Sequence, residues 1–337
     1  MPLLRHAVFM LLQAPTGSLP EHRISNIFEP LATAGEQEKA IAILTLLITL
    51  AIFVVTGGLI VYSMWRFRRR EGDQSLQEPP QVYGSTQIEV AWTVIPILIV
   101  FVLIGVSVRV IGAVENASPS PASVKLRLIG HQWWWSIVYP QFGVVAANEI
   151  HVPVSEGRNL VTQIQLESVD VIHSFWVPQL AGKTDLIPNR LNFTWIDPHE
   201  PGVYFGNCAE YCGTQHANML LRVIAQPVDD FNRWVDEQKL SAADDPRAAA
   251  GKQAFLSLAC VNCHAVKGTS AVGIFGPDLT HLMSRMTIGA GVAPLTHENL
   301  RAWVNDPQTL KPGCLMPSMN LTDSQLNEVV AYLETLR

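Results

Sequence analysis

Charge is scarce in this chain. Asp, Glu, Lys and Arg make up 15% of 337 residues and leave a net charge of -6. No long Lys/Arg block is present that could neutralise a run of phosphates, which argues against a nucleic-acid partner. Cysteine is sparse too, with five in a chain too large to depend on disulfide stapling. Apolar residues, by contrast, reach 48%, a level that places part of the chain in lipid. The length suits two or three folded units.

Two stretches lack charge altogether. Ala40 to Trp65 would extend ~39 Å as a helix, enough to cross a hydrocarbon core of ~30 Å. Val90 to Val108 is the second, flanked by Glu89 and Arg109, with Pro96 near its start where a helix tolerates proline best. Between them lie Arg66, Phe67, Arg68, Arg69 and Arg70, so the connecting loop is expected on the cytoplasmic side and everything after residue 112 on the outer side. The short apolar run His6 to Ala14 has no clear small-residue cleavage site, and a cleaved signal peptide stays open. No cysteine follows it, which excludes lipid attachment there.

From Val124 to about Gln226 the pattern changes to short alternating runs. Leu160, Thr162, Ile164 and Leu166 form one, Leu191, Phe193 and Trp195 another, with turn clusters at Ser155 to Gly157 and Asp197 to Gly202. A small β-sandwich or barrel is expected. Near its end stands Cys208-Ala-Glu-Tyr-Cys212-Gly-Thr-Gln-His216-Ala-Asn-Met219, and a strand earlier Val171-Ile-His173-Ser-Phe-Trp. Thiolate, imidazole and thioether together suit a soft, readily reduced ion such as copper. A Cys208–Cys212 disulfide is the plainer reading of CxxxC alone, and a tetrahedral zinc site is another, but zinc gains little from Met.

These residues resemble the dinuclear copper centre, CuA, of cytochrome oxidase subunit II. The resemblance spans about residues 35 to 226 and includes Ile88-Glu89-Val90-Ala91-Trp92-Thr93-Val94-Ile95-Pro96, Gly130-His131-Gln132-Trp133-Trp134-Trp135, His173-Ser174-Phe175 and the whole 208–219 loop. It implies that Cys208 and Cys212 bridge two coppers, that His173 and His216 complete one side each, and that Met219 and the Glu210 carbonyl are weak ligands. It further implies that the Glu210 carboxylate meets a magnesium ion shared with subunit I. Trp133 would pass electrons to copper, although a fused donor domain puts that role in question, and core packing is its plainer reading. Glu89 would stand at the mouth of a proton pathway, or serve only as an interfacial anchor. Asn189 follows Pro188 where many relatives place glycine, and Asn tolerates the same turn geometry.

Beyond Val228 the sequence turns polar and helix-compatible, and Ser241 to Pro246 reads as a linker before a third unit. Cys260-Val-Asn-Cys263-His264 is the pattern that attaches a c-type haem, two thiols binding the porphyrin and the next imidazole the iron. No second CxxC suggests zinc. A methionine is expected opposite His264. Lys311-Pro-Gly-Cys-Leu-Met316-Pro resembles the ligand loop of small monohaem cytochromes c, which makes Met316 the choice and Met319 the rival, with Met283 and Met286 as packing residues. Gly276-Pro277-Asp278-Leu279 resembles the loop that orients the proximal imidazole. Leu326, Val329, Val330, Leu333 and Leu336 fall at helical spacing after a cap at Thr322. Cys314 looks unpaired and inert.

The expected chain is a multidomain membrane protein: an N-terminal segment (1–35), a two-helix transmembrane hairpin (36–112), a cupredoxin-like β-sandwich (113–228), a linker (229–246) and an all-α monohaem cytochrome c domain (247–337). It resembles subunit II of caa3-type haem-copper oxidases. That resemblance implies an electron-accepting subunit of a bacterial plasma-membrane oxidase, with both cofactor domains on the periplasmic or outer side. It would receive electrons from a donor such as a cytochrome c and deliver them to subunit I for oxygen reduction coupled to proton translocation, with no oxygen-reducing site of its own. The copper subunit of a nitric oxide reductase and a membrane-tethered haem/copper redox sensor are the alternatives, but no output domain for a sensor is visible.

Overall fold

The structure is a computed structural model that describes residues 19–22, 26–68, 81, 83–116, 123–155, 157 and 160–337. The N-terminal apolar run and the basic residues Arg69 and Arg70 lie outside the described residues. The chain divides into two compact units, Glu36–Ala117 and the remainder.

The first unit is built from α1 (Thr33–Arg66) and α2 (Thr86–Glu115). The most apolar window of each contains no buried residue, so the Leu, Ile, Val and Phe side chains face outward. That arrangement is stable only in lipid, where a helix satisfies its own backbone. Thr45, Thr49, Thr56 and Thr93 donate their hydroxyls to carbonyls four residues back, which hides their polarity. Because α2 begins at Thr86, Pro96 lies inside the helix rather than near its start, removing one backbone donor there.

The second unit has a β lobe and a helical lobe. The β lobe stacks two sheets. One contains β2 (Val124–His131), β3 (Trp134–Tyr139), β4 (Val144–Ala147), β6 (Thr162–Ser168) and β9 (Asn192–Ile196), in the order β4-β3-β2-β6-β9. The other contains β5 (Glu149–Pro153), β7 (His173–Val177), β8 (Ala181–Leu186), β10 (Gly202–Cys208) and β11 (Leu220–Gln226), in the order β5-β11-β10-β7-β8, with β1 (Glu21–His22) alongside β10. Burial alternates along β2, β3 and β6 as two-residue periodicity requires. Leu126, Leu128, Trp135, Ile137, Ile150, Ile164, Leu166 and Phe175 fill the space between the sheets. The run containing Phe193 behaves differently: Leu191 and Phe193 point to solvent and only Trp195 and Ile196 turn inward.

The expected linker opens as a helix, α3 (Val228–Gln238), which buries Phe231, Trp234 and Val235. Trp234 stacks on His151 of β5 with ring centroids 4.1 Å apart, so α3 belongs to the β lobe. The helical lobe follows: α4 (Ala249–Ser257), the single turn α5 (Cys260–Cys263), the short ribbon β12 (Thr287–Ile288) and β13 (Ala293–Pro294), α6 (His297–Asn305) and α7 (Asp323–Leu333). Thr322 caps α7 in a reciprocal box with Gln325. Leu326, Val329, Val330, Leu333 and Leu336 are buried against Phe255, Leu300 and Val304. At the α4–α7 crossing a side chain on Gly251 would sit 1.9 Å from the Glu328 carbonyl oxygen.

Candidate metal and haem centres

Strand pairing assembles the first site. β7 and β10 run antiparallel with Cys208 opposite Phe175, which brings His173 beside Cys208. The chain then leaves β10, loops through Cys212 and His216, and returns at Met219, whose carbonyl accepts the Cys208 N–H at 3.0 Å. Cys208 Sγ and Cys212 Sγ lie 3.8 Å apart and are not bonded to each other. His173 Nδ1 is 3.9 Å from Cys208 Sγ, His216 Nδ1 is 3.6 Å from Cys212 Sγ, and Met219 Sδ is 3.8 Å from Cys212 Sγ. The Glu210 carbonyl oxygen lies 3.2 Å from Cys208 Sγ. All six residues named from the sequence therefore converge, and Cys208, Cys212, His173 and Met219 are buried.

The electrostatics of the pair point to a cation. The Cys212 thiol, aided by His173, holds Cys208 well below the ordinary thiol range, while the neighbouring Cys208 sulfur and burial push Cys212 far above it. Two thiolates cannot coexist this close without a positive charge between them, and a metal ion supplies one. Burial alone would lower the His173 imidazole, but hydrogen bonds to Asp170 and Cys208 raise it. Asp170 Oδ1 stands 2.8 Å from His173 Nε2, so that nitrogen carries the proton and Nδ1 is left toward the sulfurs. Gly130 packs under the same ring, where a Cβ would lie 2.6 Å from His173 Cδ2. Gly130 belongs to the 130–135 run that carries the resemblance, with no role of its own there, whereas Asp170, three residues before His173, belongs to no motif.

Trp133 is buried against the loop, its indole N–H donating to the Cys212 carbonyl at 2.9 Å, and Gln132 Nε2 donates to the same oxygen at 2.8 Å. Glu89 lies in the first turn of α2, in the other unit.

The second site is in the helical lobe. Cys260 and Cys263 occupy one helical turn, half-buried, and the His264 N–H closes it on the Cys260 carbonyl at 3.0 Å. His264 Nδ1 donates to the Pro277 carbonyl at 2.7 Å, leaving Nε2 unclaimed by that contact. Gly276 lies against the ring, where a Cβ would come within 2.5 Å of His264 Cε1. Burial lowers the His264 imidazole, so it is neutral and able to bind iron. Val272, Ile274 and Phe275, in the chain just after this turn, are 77% to 80% exposed, apolar side chains that need a cover. Met316 and Met319 are both half-buried in the 311–319 loop, and Gln308 Nε2 holds the Met316 carbonyl at 3.1 Å. A covalently held porphyrin fits these residues: paired thiols, an oriented neutral imidazole and bare apolar side chains.

Comparison with known proteins agrees. Residues 28–110 match the family model for the transmembrane domain of cytochrome c oxidase subunit II, residues 144–226 that for its periplasmic domain, and residues 248–337 that for cytochrome c. The cytochrome c oxidase subunit 2 of Alkalihalophilus pseudofirmus is 33% identical over 329 residues, covering 96% of this chain and 93% of its own. That of Bacillus subtilis is 32% identical over 332 residues, covering 92% and 91%. Among solved structures, the periplasmic domain of subunit II from Bradyrhizobium japonicum is 32% identical over 36% of this chain and 96% of its own, with a TM-score of 0.33. With two outward-facing apolar helices, a thiol–imidazole cluster on a β-sandwich and a CxxCH turn on a helical lobe, the chain belongs to the cytochrome c oxidase subunit II family and carries a cytochrome c domain after its copper-type domain.

Proposed function

We propose that this chain is the electron-accepting subunit of a respiratory haem-copper oxidase, taking electrons from an external donor such as a cytochrome c and delivering them to the catalytic subunit I. The observation that carries this reading is the pair of buried sulfurs 3.8 Å apart with one imidazole nitrogen on each side, at 3.9 Å and 3.6 Å. Cys208 and Cys212 would bridge two coppers, His173 and His216 would each complete one side, and Met219 and the Glu210 carbonyl would be weak ligands. When bound, a dinuclear copper centre takes up and releases one electron spread over both ions, and a covalent haem on Cys260, Cys263, His264 and Met316 supplies the preceding one-electron carrier.

The chain's own residues hold these groups still. Asp170 fixes the His173 tautomer, the Pro277 carbonyl fixes that of His264, and Trp133 anchors the copper loop at Cys212. A rigid donor set changes little between oxidation states, which favours fast transfer. The Glu210 carboxylate would bind magnesium at the border with subunit I. Glu89 would open a proton route at the cytoplasmic face. Arg66, the last residue of α1, and Arg68 favour that face for the connecting loop, and both lobes would then lie on the periplasmic or outer side. Oxygen reduction and proton translocation would reside in the complex.

The test is Cys212→Ser in the assembled oxidase. The haem should still be reduced by external donor while oxygen uptake falls to background. Oxygen uptake that persists at the wild-type rate would remove the copper loop from the electron path.

A further inference from the structure

The β lobe and the cytochrome lobe meet along a seam that carries a buried charge at each end. Lys311 is 2% exposed, and its ammonium nitrogen lies 2.8 Å from each of three carbonyl oxygens, those of Trp133, Asn218 and Gly289. Trp133 and Asn218 belong to the β lobe, one donating to Cys212 and the other preceding Met219, whereas Gly289 belongs to the cytochrome lobe. An ammonium has three hydrogens, so all are satisfied only when both lobes are in place. At the other end the buried Glu149 of β5 accepts from the Met286 N–H at 2.9 Å and from the Thr287 N–H and hydroxyl at 3.0 and 2.9 Å. Between the two pins, the Leu220 N–H donates to the Ala290 carbonyl at 3.1 Å, and the Gln215 amide donates to the Pro312 carbonyl. Gly291 admits no side chain there, since a Cβ would lie 2.7 Å from Leu220 Cβ.

A purely apolar seam could slide with little cost. One pinned by opposite charges cannot, because slippage strips the buried ammonium of its Trp133 and Asn218 partners and leaves the buried carboxylate only the Arg222 guanidinium, 3.9 Å away. Lys311 also stands in the same loop as Met316, while Trp133 touches the peptide of Cys212. We propose that Lys311 is a positioning residue for electron transfer between the lobes: it ties the methionine-bearing loop of the cytochrome lobe to the Asn218 carbonyl within the copper loop and to the Trp133 carbonyl beside it, so that transfer proceeds in one fixed geometry through Trp133. This rests on the haem and copper reading above. The transfer moves one electron, oxidising the haem and reducing the copper pair, with no bond made or broken and no proton moved.

The experiment uses the full-length protein carrying both cofactors. A photoexcited external reductant reduces the haem, copper reduction is followed as solvent viscosity is varied, and amide hydrogen exchange is read at Thr287 and Leu220. The wild type should transfer at a rate independent of viscosity with both amides protected. Lys311→Met should keep its haem and copper spectra, yet exchange at these amides should quicken, and transfer should slow and become viscosity-dependent, each by about tenfold or more as partners of a buried group are lost. A variant with unchanged exchange and transfer overturns the role of Lys311. Viscosity-dependent transfer in the wild type overturns it too, even if the variant fails to fold. A wild type whose reduced haem passes no electron to copper instead fails the functional reading itself, and the lysine's role falls with it.

Discussion

Asp170 accepts the Nε2 proton of His173 at 2.8 Å, and this one contact decides which imidazole nitrogen faces the sulfurs. Asp170→Asn weakens the acceptor without emptying the space. Copper affinity is expected to fall by roughly 10- to 100-fold, as for other partners of metal-bound histidines, read by competition with a chelator. Unchanged affinity would mean that packing alone orients the ring. Gly130→Ala attacks the same ring from below, where the added carbon would lie 2.6 Å from His173 Cδ2. A loss of about 1–3 kcal/mol in stability together with an altered copper spectrum is expected.

At this scale the sequence was informative where chemistry is local. Cys208, Cys212, His216 and Met219 lie within one loop, so their spacing alone suggests a shared centre. Asn189 has a φ of 62°, the left-handed geometry expected of the residue standing where relatives carry glycine. Asp170 and Lys311 were illegible for the same reason: an isolated Asp or Lys has no pattern, and its partner is fixed only by folding. Met316 and Met319 are three residues apart in one loop, too close for spacing to choose between them.

His151 shows what the elements contribute. It lies on β5, stacks on Trp234 of α3, and its Nδ1–H donates to Gln226 Oε1 at 2.8 Å on β11. Burial lowers its pKa to about 4 from an ordinary 6.5. As pH falls, the unfolded chain therefore takes the proton first. The stabilisation is fully present above pH 6.5 and is lost as pH falls toward 4, on the order of 3 kcal/mol in all. Denaturant unfolding of the β lobe at pH 7 and pH 4.5 should show this loss in the wild type and a smaller one in His151→Phe, which keeps a ring on Trp234. Equal losses would place the acid sensitivity elsewhere. The docking of α3 was only half legible: Phe231, Trp234 and Val235 sit at helical spacing, but Asp229, Asp230, Arg233 and Asp236 around them give the stretch the composition of a linker. Phe193 misled in the opposite sense, because alternation along β9 fixes which residues share a face but not which face is buried.

For the whole molecule, the division into an apolar helical unit, a β-sandwich and a haem lobe was legible because each follows a different periodicity or motif: uncharged runs, two-residue alternation and CxxCH. The seam between the β lobe and the helical lobe was not. It depends on Glu149, Lys311 and backbone groups far apart in the chain, and buried charges of that kind look like surface residues in a sequence. What both lobes serve together is the claim that a dinuclear copper centre and a covalent haem share this one chain. Metal and haem analysis with spin-resonance spectra of the full-length protein, reconstituted with copper under reducing conditions, tests it most directly. Two coppers per covalent haem, with one unpaired spin shared by both coppers, is the expected result; haem without paired copper would contradict it and leave a membrane-tethered cytochrome.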